Sequence, residues 1–383
     1  MPIIFITGTL RSGTSAVANF LSKSIDKNYL FVTEESDVSK YYKKEFNVDG
    51  YYERVDLHHA FQNLHQGALT LPFNPPGKKV LREGDKMFLG EGEGEGEEEE
   101  KEKEKVSATR LPDFCHDVIP DFSPSLYSSE EKKEDNLADS TGRFKEPQVL
   151  LWKPFITTLK LICEEMKSLS TLKNGGDDGC WGLKSAQFVQ VLPVIEYLFP
   201  PSLHLSDNKN EDEVAIIIYC IRDYVSVQQS VKKFCNAHGQ ENVLVPEDYW
   251  LCHTLRFLHA ANQSSLPIIL QEGPTSSLAF FLTGCESEQH RQIDQDDKIE
   301  EEKTEKKKNV KTGKKKKKKS KKKKVEEIVY KFLLQLCKEQ KKWIREIDNR
   351  KEKDKTNLNN GNYNLENFSL RGKIPEYILS INN

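Results

Sequence analysis

The opening residues constrain the fold more than any other part of the chain. Ile3, Ile4, Phe5 and Ile6 form a short, unbroken apolar run rich in β-branching. Such a run predicts a strand buried on both faces, as in a parallel sheet. GTLRSGTS, residues 8–15, follows at once, and then Val17, Phe20, Leu21 and Ile25 recur at helical spacing. Strand, glycine-and-hydroxyl loop and helix make the βα opening of a nucleotide-binding α/β fold.

Later segments extend the pattern. Residues 214–221 (VAIIIYCI) carry the strongest strand signal, and a helical pattern runs on through Val227, Val231 and Phe234. LPIIL (266–270) predicts another buried strand, and the four residues of WGLK (181–184) are compatible with a short one. Phe188, Val191, Leu192, Ile195 and Leu198 have helical spacing, and Pro193 among them calls for a kink or a break into two short helices. Helices are also expected over 247–262 and 325–347, with a loose segment at 351–364. Buried strands alternating with helices predict an α/β fold of three layers around a mostly parallel central sheet.

Composition bears on how much of the chain joins that fold. Charged residues make up 31% and hydrophobic ones 37%, poor values for a chain packed throughout. The net charge of −3 averages an acidic run, EGEGEGEEEEKEKEK (91–105), with a lysine-rich one, EEKTEKKKNVKTGKKKKKKSKKKK (301–324). Neither run can bury enough apolar surface to offset its chain entropy. The expected organisation is therefore an α/β domain over 1–89 and 146–285, an acidic insertion at 90–145, a lysine-rich insertion at 286–325, and a C-terminal helix and tail at 326–383. No apolar run approaches the roughly 20 residues of a membrane span, and MPIIFITG lacks the parts of a signal peptide. Eight scattered cysteines without a CxxC pair argue against a zinc knuckle and for a reducing, cytoplasmic compartment. The lysine run reads either as a solvated insertion, or as a contact for acidic polymers or membrane surfaces or a nuclear address.

Two motifs carry the chemistry. Gly8 and Gly13 meet the spacing of a GxxxxGK[ST] phosphate loop, but Thr14 stands where the lysine belongs. That departure counts against an ATPase or GTPase. The loop retains backbone amides, a helix N-terminus, the hydroxyls of Ser12, Thr14 and Ser15, and Arg11 as a positive fork for a phosphate. Arg222 ends the second buried strand, and Ser230 lies eight residues on, about two helical turns away. Two anion sites at strand carboxyl ends suggest a nucleotide phosphorylated at two ribose positions.

At these residues the chain resembles the sulfotransferase superfamily of P-loop-like α/β enzymes, in its bacterial-type branch. RSGTS (11–15) is similar to the family's 5′-phosphosulfate loop, and RDYVSVQQS (222–230) to its 3′-phosphate motif. NVDGYYE (47–53) resembles the branch's N-x-x-G-Y-x-E segment, and WGLK the segment that usually continues as K-D-P-R. The resemblance implies 3′-phosphoadenosine 5′-phosphosulfate as sulfuryl donor and a hydroxyl or amine acceptor such as a carbohydrate or small alcohol. It places Arg11, Ser12, Gly13, Thr14 and Ser15 on the 5′-phosphosulfate, and Arg222 and Ser230 on the 3′-phosphate. Lys184 would approach the sulfuryl group or the acceptor. Glu53 is the first candidate for general base, with His58 and His59 as neighbours able to replace it. No metal is demanded. Ser185, Ala186 and Gln187 stand where D-P-R is usual, and Tyr224 where proline often follows. Two rival readings stay open: a non-catalytic nucleotide-binding descendant of the fold, and another P-loop enzyme such as a small-molecule kinase.

Overall fold

The computed structural model describes residues 3–23, 29–41, 51–70, 122, 147–173, 180–201, 214–237, 248–273, 321–353 and 365–382. Almost all of the acidic stretch 90–145, most of the lysine-rich stretch 286–325 and the segment 354–364 lie outside them.

Among the described residues four strands form one all-parallel sheet: β1 (Ile3–Gly8), β2 (Gly182–Lys184), β3 (Ala215–Cys220) and β4 (Ile268–Gln271), in the order β2-β1-β3-β4. Every strand residue is buried. The alternation of side chains divides them between two cores. Ile4, Ile6, Ile216, Ile218 and Ile269 meet Val17, Ala18 and Leu21 of α1 (Thr14–Lys23) on one face. Ile3, Phe5, Ile217, Tyr219 and Leu270 meet the other helices on the opposite face. These include α2 (Val55–Thr70), α3 (Pro147–Lys173), α4 (Leu192–Leu198), α5 (Tyr224–Ala237) and α6 (Tyr249–Gln263). The chain is thus α/β with packed layers on both sides of the sheet.

The segment around Pro193 takes the broken form. A 3-10 helix, Ala186–Val191, is N-capped by Ser185, and α4 follows with Pro193 in its first turn. Proline is tolerated there because its missing N–H has no intrahelical partner to lose. The pattern as read does not include α2 or α3. Leu57, Phe61, Leu64 and Ala68 on α2, and Trp152, Phe155, Leu159, Ile162 and Met166 on α3, are the buried stripes that form them.

Two boundaries differ from expectation. Phe122, inside the expected acidic insertion, is buried against Trp152 and Tyr197, with ring centroids 5.6 Å away in each case. Burying one large aromatic ring is worth more than a polar surrounding composition suggests. The C-terminal helix α7 (Lys321–Lys353) begins inside the lysine run and ends beyond residue 347. Once the apolar stripe at Val329, Leu333 and Cys337 is docked, adding helical turns to either end costs little. This helix also closes the sheet edge. The Gln340 side chain accepts from the Leu270 amide and donates to the Ile268 carbonyl, both at 2.8 Å, satisfying backbone groups that an exposed edge leaves unpaired.

Candidate functional site

Register assembles the site. Gly8 pairs with Cys220 and Ile6 with Lys184, so β1, β2 and β3 end side by side. Strand β1 has β2 on one side and β3 on the other, so the order reverses there, and the crevice outside β1 and β3 is where open α/β sheets collect ligands.

The loop of residues 8–13 turns in that crevice. Gly8 has φ +152°, and a Cβ on it would lie 2.5 Å from Ser12 Oγ and 2.7 Å from the Cys220 carbonyl, so only glycine fits. Arg11 holds φ 67°, an unfavourable conformation for a residue with a Cβ, of the kind that collects at functional sites. The Leu10 amide donates to Tyr249 Oη at 2.8 Å, and the Ser12 amide to the Thr9 carbonyl at 2.9 Å. Ser12 Oγ is buried and has no hydrogen-bond partner among the described residues. Helix α1 starts at Thr14, with the unpaired amides and positive dipole end of a helix N-terminus beside the loop.

The two sequence motifs converge. Arg11 Nε donates to Ser230 Oγ at 3.2 Å, and Arg222 Nη1 donates to the Arg11 carbonyl at 2.9 Å. The Arg11 guanidinium lies 5.5 Å from the centroid of the Phe234 ring, also on α5. Among the described residues no carboxylate pairs with Arg11 or Arg222. Burial pulls the Arg11 pKa below its ordinary value; the Tyr51 phenol opposes this, and Arg222 adds to the lowering. Two guanidinium groups without a carboxylate partner among the described residues, one of them bonded to the backbone of the other, favour an anion beside them. The N-terminus of α5 is already capped, since Asp223 Oδ1 accepts from the Ser226 amide at 2.9 Å. Side chains, not helix amides, are what this half of the site offers.

A second cluster flanks the loop on the β2 side. Lys184 Nζ donates to Glu53 Oε2 at 3.1 Å and to the Tyr51 carbonyl at 2.9 Å. Ser185 Oγ donates to Glu53 Oε1 at 3.1 Å, so both carboxylate oxygens are held. Ser15 Oγ donates to the same Tyr51 carbonyl at 3.2 Å. His58 is half-buried; burial pulls its pKa down, Glu53 opposes this, and His59 and Lys184 add to the lowering. His59 is exposed and bonds Gln62 through Nδ1 at 3.0 Å. Cys220, beside the loop, is pushed up to about 12 by burial and stays a protonated thiol.

The structure therefore brings Arg11, Ser12, Gly13, Thr14, Ser15, Arg222 and Ser230 to one crevice, and Glu53, Lys184 and His58 to its flank. Sequence reading does not single out Tyr51, Tyr249 or Ser185 as site-shaping residues. Tyr51 acts through its carbonyl and Tyr249 through a bond to Leu10, 239 positions away. Ser185 carried a signal, since it replaces an aspartate in the pattern.

Among the described residues no group of three or more His, Cys, Asp or Glu is placed to hold a metal ion, and no helix is long and apolar enough to cross a membrane. The chain matches no protein-family model, no curated protein and no solved structure.

Proposed function

We propose that the protein is a P-loop-like sulfotransferase that moves a sulfuryl group from 3′-phosphoadenosine 5′-phosphosulfate to a hydroxyl or amine acceptor. The observation that carries this reading is the junction of Arg11, Ser230 and Arg222. It joins a phosphate-type loop to a second cationic site across β1 and β3, with no carboxylate among the described residues to neutralise it. A nucleotide phosphorylated at two ribose positions has the charge to satisfy both halves.

In this reading Arg11, the loop hydroxyls and the start of α1 hold the 5′-phosphosulfate, and Arg222 with Ser230 holds the 3′-phosphate. Transfer breaks the bond between sulfur and the bridging phosphate oxygen, and forms one from sulfur to the acceptor oxygen or nitrogen. Charge builds on the departing phosphate oxygen, where Arg11 and Lys184 neutralise it. The acceptor proton passes to Glu53, a contribution of about 10²–10⁴-fold for a positioned base. Ser185 and Lys184 keep that carboxylate oriented. A carbohydrate or small alcohol suits as acceptor.

Thermal unfolding of the full chain tests the reading. Saturating 3′,5′-bisphosphoadenosine should raise the melting temperature, because a ligand bound only by the native state adds stability by mass action. ATP should do so weakly. Preference for ATP would replace this reading by that of a kinase-like enzyme. Bisphosphate binding without sulfuryl transfer to any of a broad set of sugars, alcohols and amines would leave a non-catalytic nucleotide-binding module.

A further inference from the structure

The Tyr51 carbonyl sits where a ligand oxygen would be expected. It accepts from Ser15 Oγ at 3.2 Å and from Lys184 Nζ at 2.9 Å, two donors assigned above to the nucleotide and the transferring group. The next residue, Tyr52, holds φ 56°, in the left-handed region that a tyrosine avoids. Tyr52 and the residues after it are held in place. The Val38 amide donates to the Glu53 carbonyl at 2.9 Å, the Val55 amide to the Ser36 carbonyl at 2.8 Å, and Asp37 forms a bridge with Arg54. Tyr52 Oη donates to Asn19 Oδ1 at 2.7 Å. With Tyr52 and the chain after it anchored, rotation of the peptide plane between Tyr51 and Tyr52 takes the Tyr51 carbonyl off its donors without moving that chain.

We infer that this peptide is a two-state ligand switch, in which an arriving anion displaces the Tyr51 carbonyl and the peptide turns over to offer the Tyr52 amide to that anion. Rotation by half a turn carries φ of Tyr52 from 56° to about −120°, onto the negative side that a residue with a Cβ prefers. It takes the Tyr51 carbonyl off Ser15 Oγ and Lys184 Nζ and puts an N–H donor in its place. It gives up the bond from the Tyr52 amide to Asp37 Oδ2, long at 3.2 Å. The switch rests on the anion-binding part of the reading above, and not on the identity of the nucleotide.

Paired substitutions test it. Tyr52→Ala and Tyr52→Gly both remove the phenol and its bond to Asn19, and they differ in how freely position 52 holds a positive φ. Glycine retains the carbonyl-inward state without cost, so the glycine variant should bind inorganic pyrophosphate about fivefold more weakly than the alanine variant. Equal affinity, or tighter binding by the glycine variant, overturns the switch. The unsubstituted full chain gives a second readout. With carbonyl-¹³C and amide-¹⁵N tyrosine, only the Tyr41–Tyr42 and Tyr51–Tyr52 peptides join two labels. Saturating pyrophosphate should move the Tyr51–Tyr52 correlation and shift the Tyr52 amide-to-Hα coupling to the value of extended backbone. An unchanged coupling, or no pyrophosphate binding at all, overturns it. Adding 3′,5′-bisphosphoadenosine separates the two ideas. If pyrophosphate turns the peptide and the bisphosphate does not bind, the switch stands and the nucleotide reading falls.

Discussion

Arg11 Nε donates to Ser230 Oγ at 3.2 Å across 219 positions of sequence, and this bond joins the loop after β1 to the helix after β3. The Arg222 guanidinium closes the same junction through the Arg11 carbonyl. The site's binding and specificity should therefore be divisible between these residues.

Arg222→Ala should weaken 3′,5′-bisphosphoadenosine by about 10- to 100-fold, the range of one charged hydrogen-bonding partner, and adenosine 5′-phosphate far less, through the lost bond to the Arg11 carbonyl alone. Titration calorimetry with both ligands checks this. Equal losses would remove Arg222 from the 3′-phosphate. Ser230→Ala should lower affinity for both ligands, because it also releases Arg11.

Glu53→Gln should depress turnover with nucleotide affinity within about twofold, since Glu53 bonds Lys184 and Ser185 and not the anion loop. Lys184→Met should lower turnover and destabilise the fold by about 2 kcal/mol, because it leaves a partly buried carboxylate without its cation. Donor-consumption assays and urea unfolding distinguish the two effects. Unchanged activity of Glu53→Gln would move the proton to another group, with His58 the nearest alternative.

Gly8→Ala should destabilise by more than about 2 kcal/mol, because the new Cβ meets Ser12 Oγ and the Cys220 carbonyl as well as a positive φ. At Gly13, with φ 102° and no atom of the described residues within 4 Å of where a Cβ would sit, alanine should cost only about 1 kcal/mol. Melting temperatures rank the pair, and a reversed order would contradict the loop geometry.

Acid should unfold the protein through two buried histidines. Burial, aided by nearby Arg256, lowers His65 to about 4. In His253, burial lowers the pKa to about 4 against the opposing bond to the Ala186 carbonyl. The unfolded chain takes up these protons near pH 6.5 and the native state only near 4, so stability is full above pH 6.5 and falls as pH drops from there to 4. Each histidine accounts for at most about 3 kcal/mol of that loss. Among the described residues His65 has no hydrogen-bond partner at either ring nitrogen, so His65→Leu should flatten part of the acid limb at little cost near neutrality. Urea midpoints between pH 4 and 8 measure it.

Much of the fold was legible because its signals are local. The run Ile3–Ile6, the glycines at 8 and 13, and the strands near 214–221 and 266–270 each declare themselves within about ten residues. The stripes of α2 and α3 were equally local. They lie beside the tyrosine-rich segment and the acidic stretch, where composition masks periodicity. The site was legible only as parts. RSGTS and RDYVSVQQS could each be read as an anion binder, but nothing in either motif states that Arg11 reaches Ser230.

By itself the sequence determined the strand–loop–helix opening, the parallel character of the sheet and the residue types able to meet an anion. Those depend on side-chain periodicity and the conformational range of glycine, which act over a few residues. The tertiary structure decided which parts meet. Strand order set β1 between β2 and β3, and so put Arg11 beside Ser230 and Lys184 beside Glu53. It also set the Tyr51 carbonyl between Ser15 and Lys184, at the expense of an unfavourable φ at Tyr52. Such pairings arise when buried strands align to satisfy their backbone hydrogen bonds, and register is a property of two distant segments together.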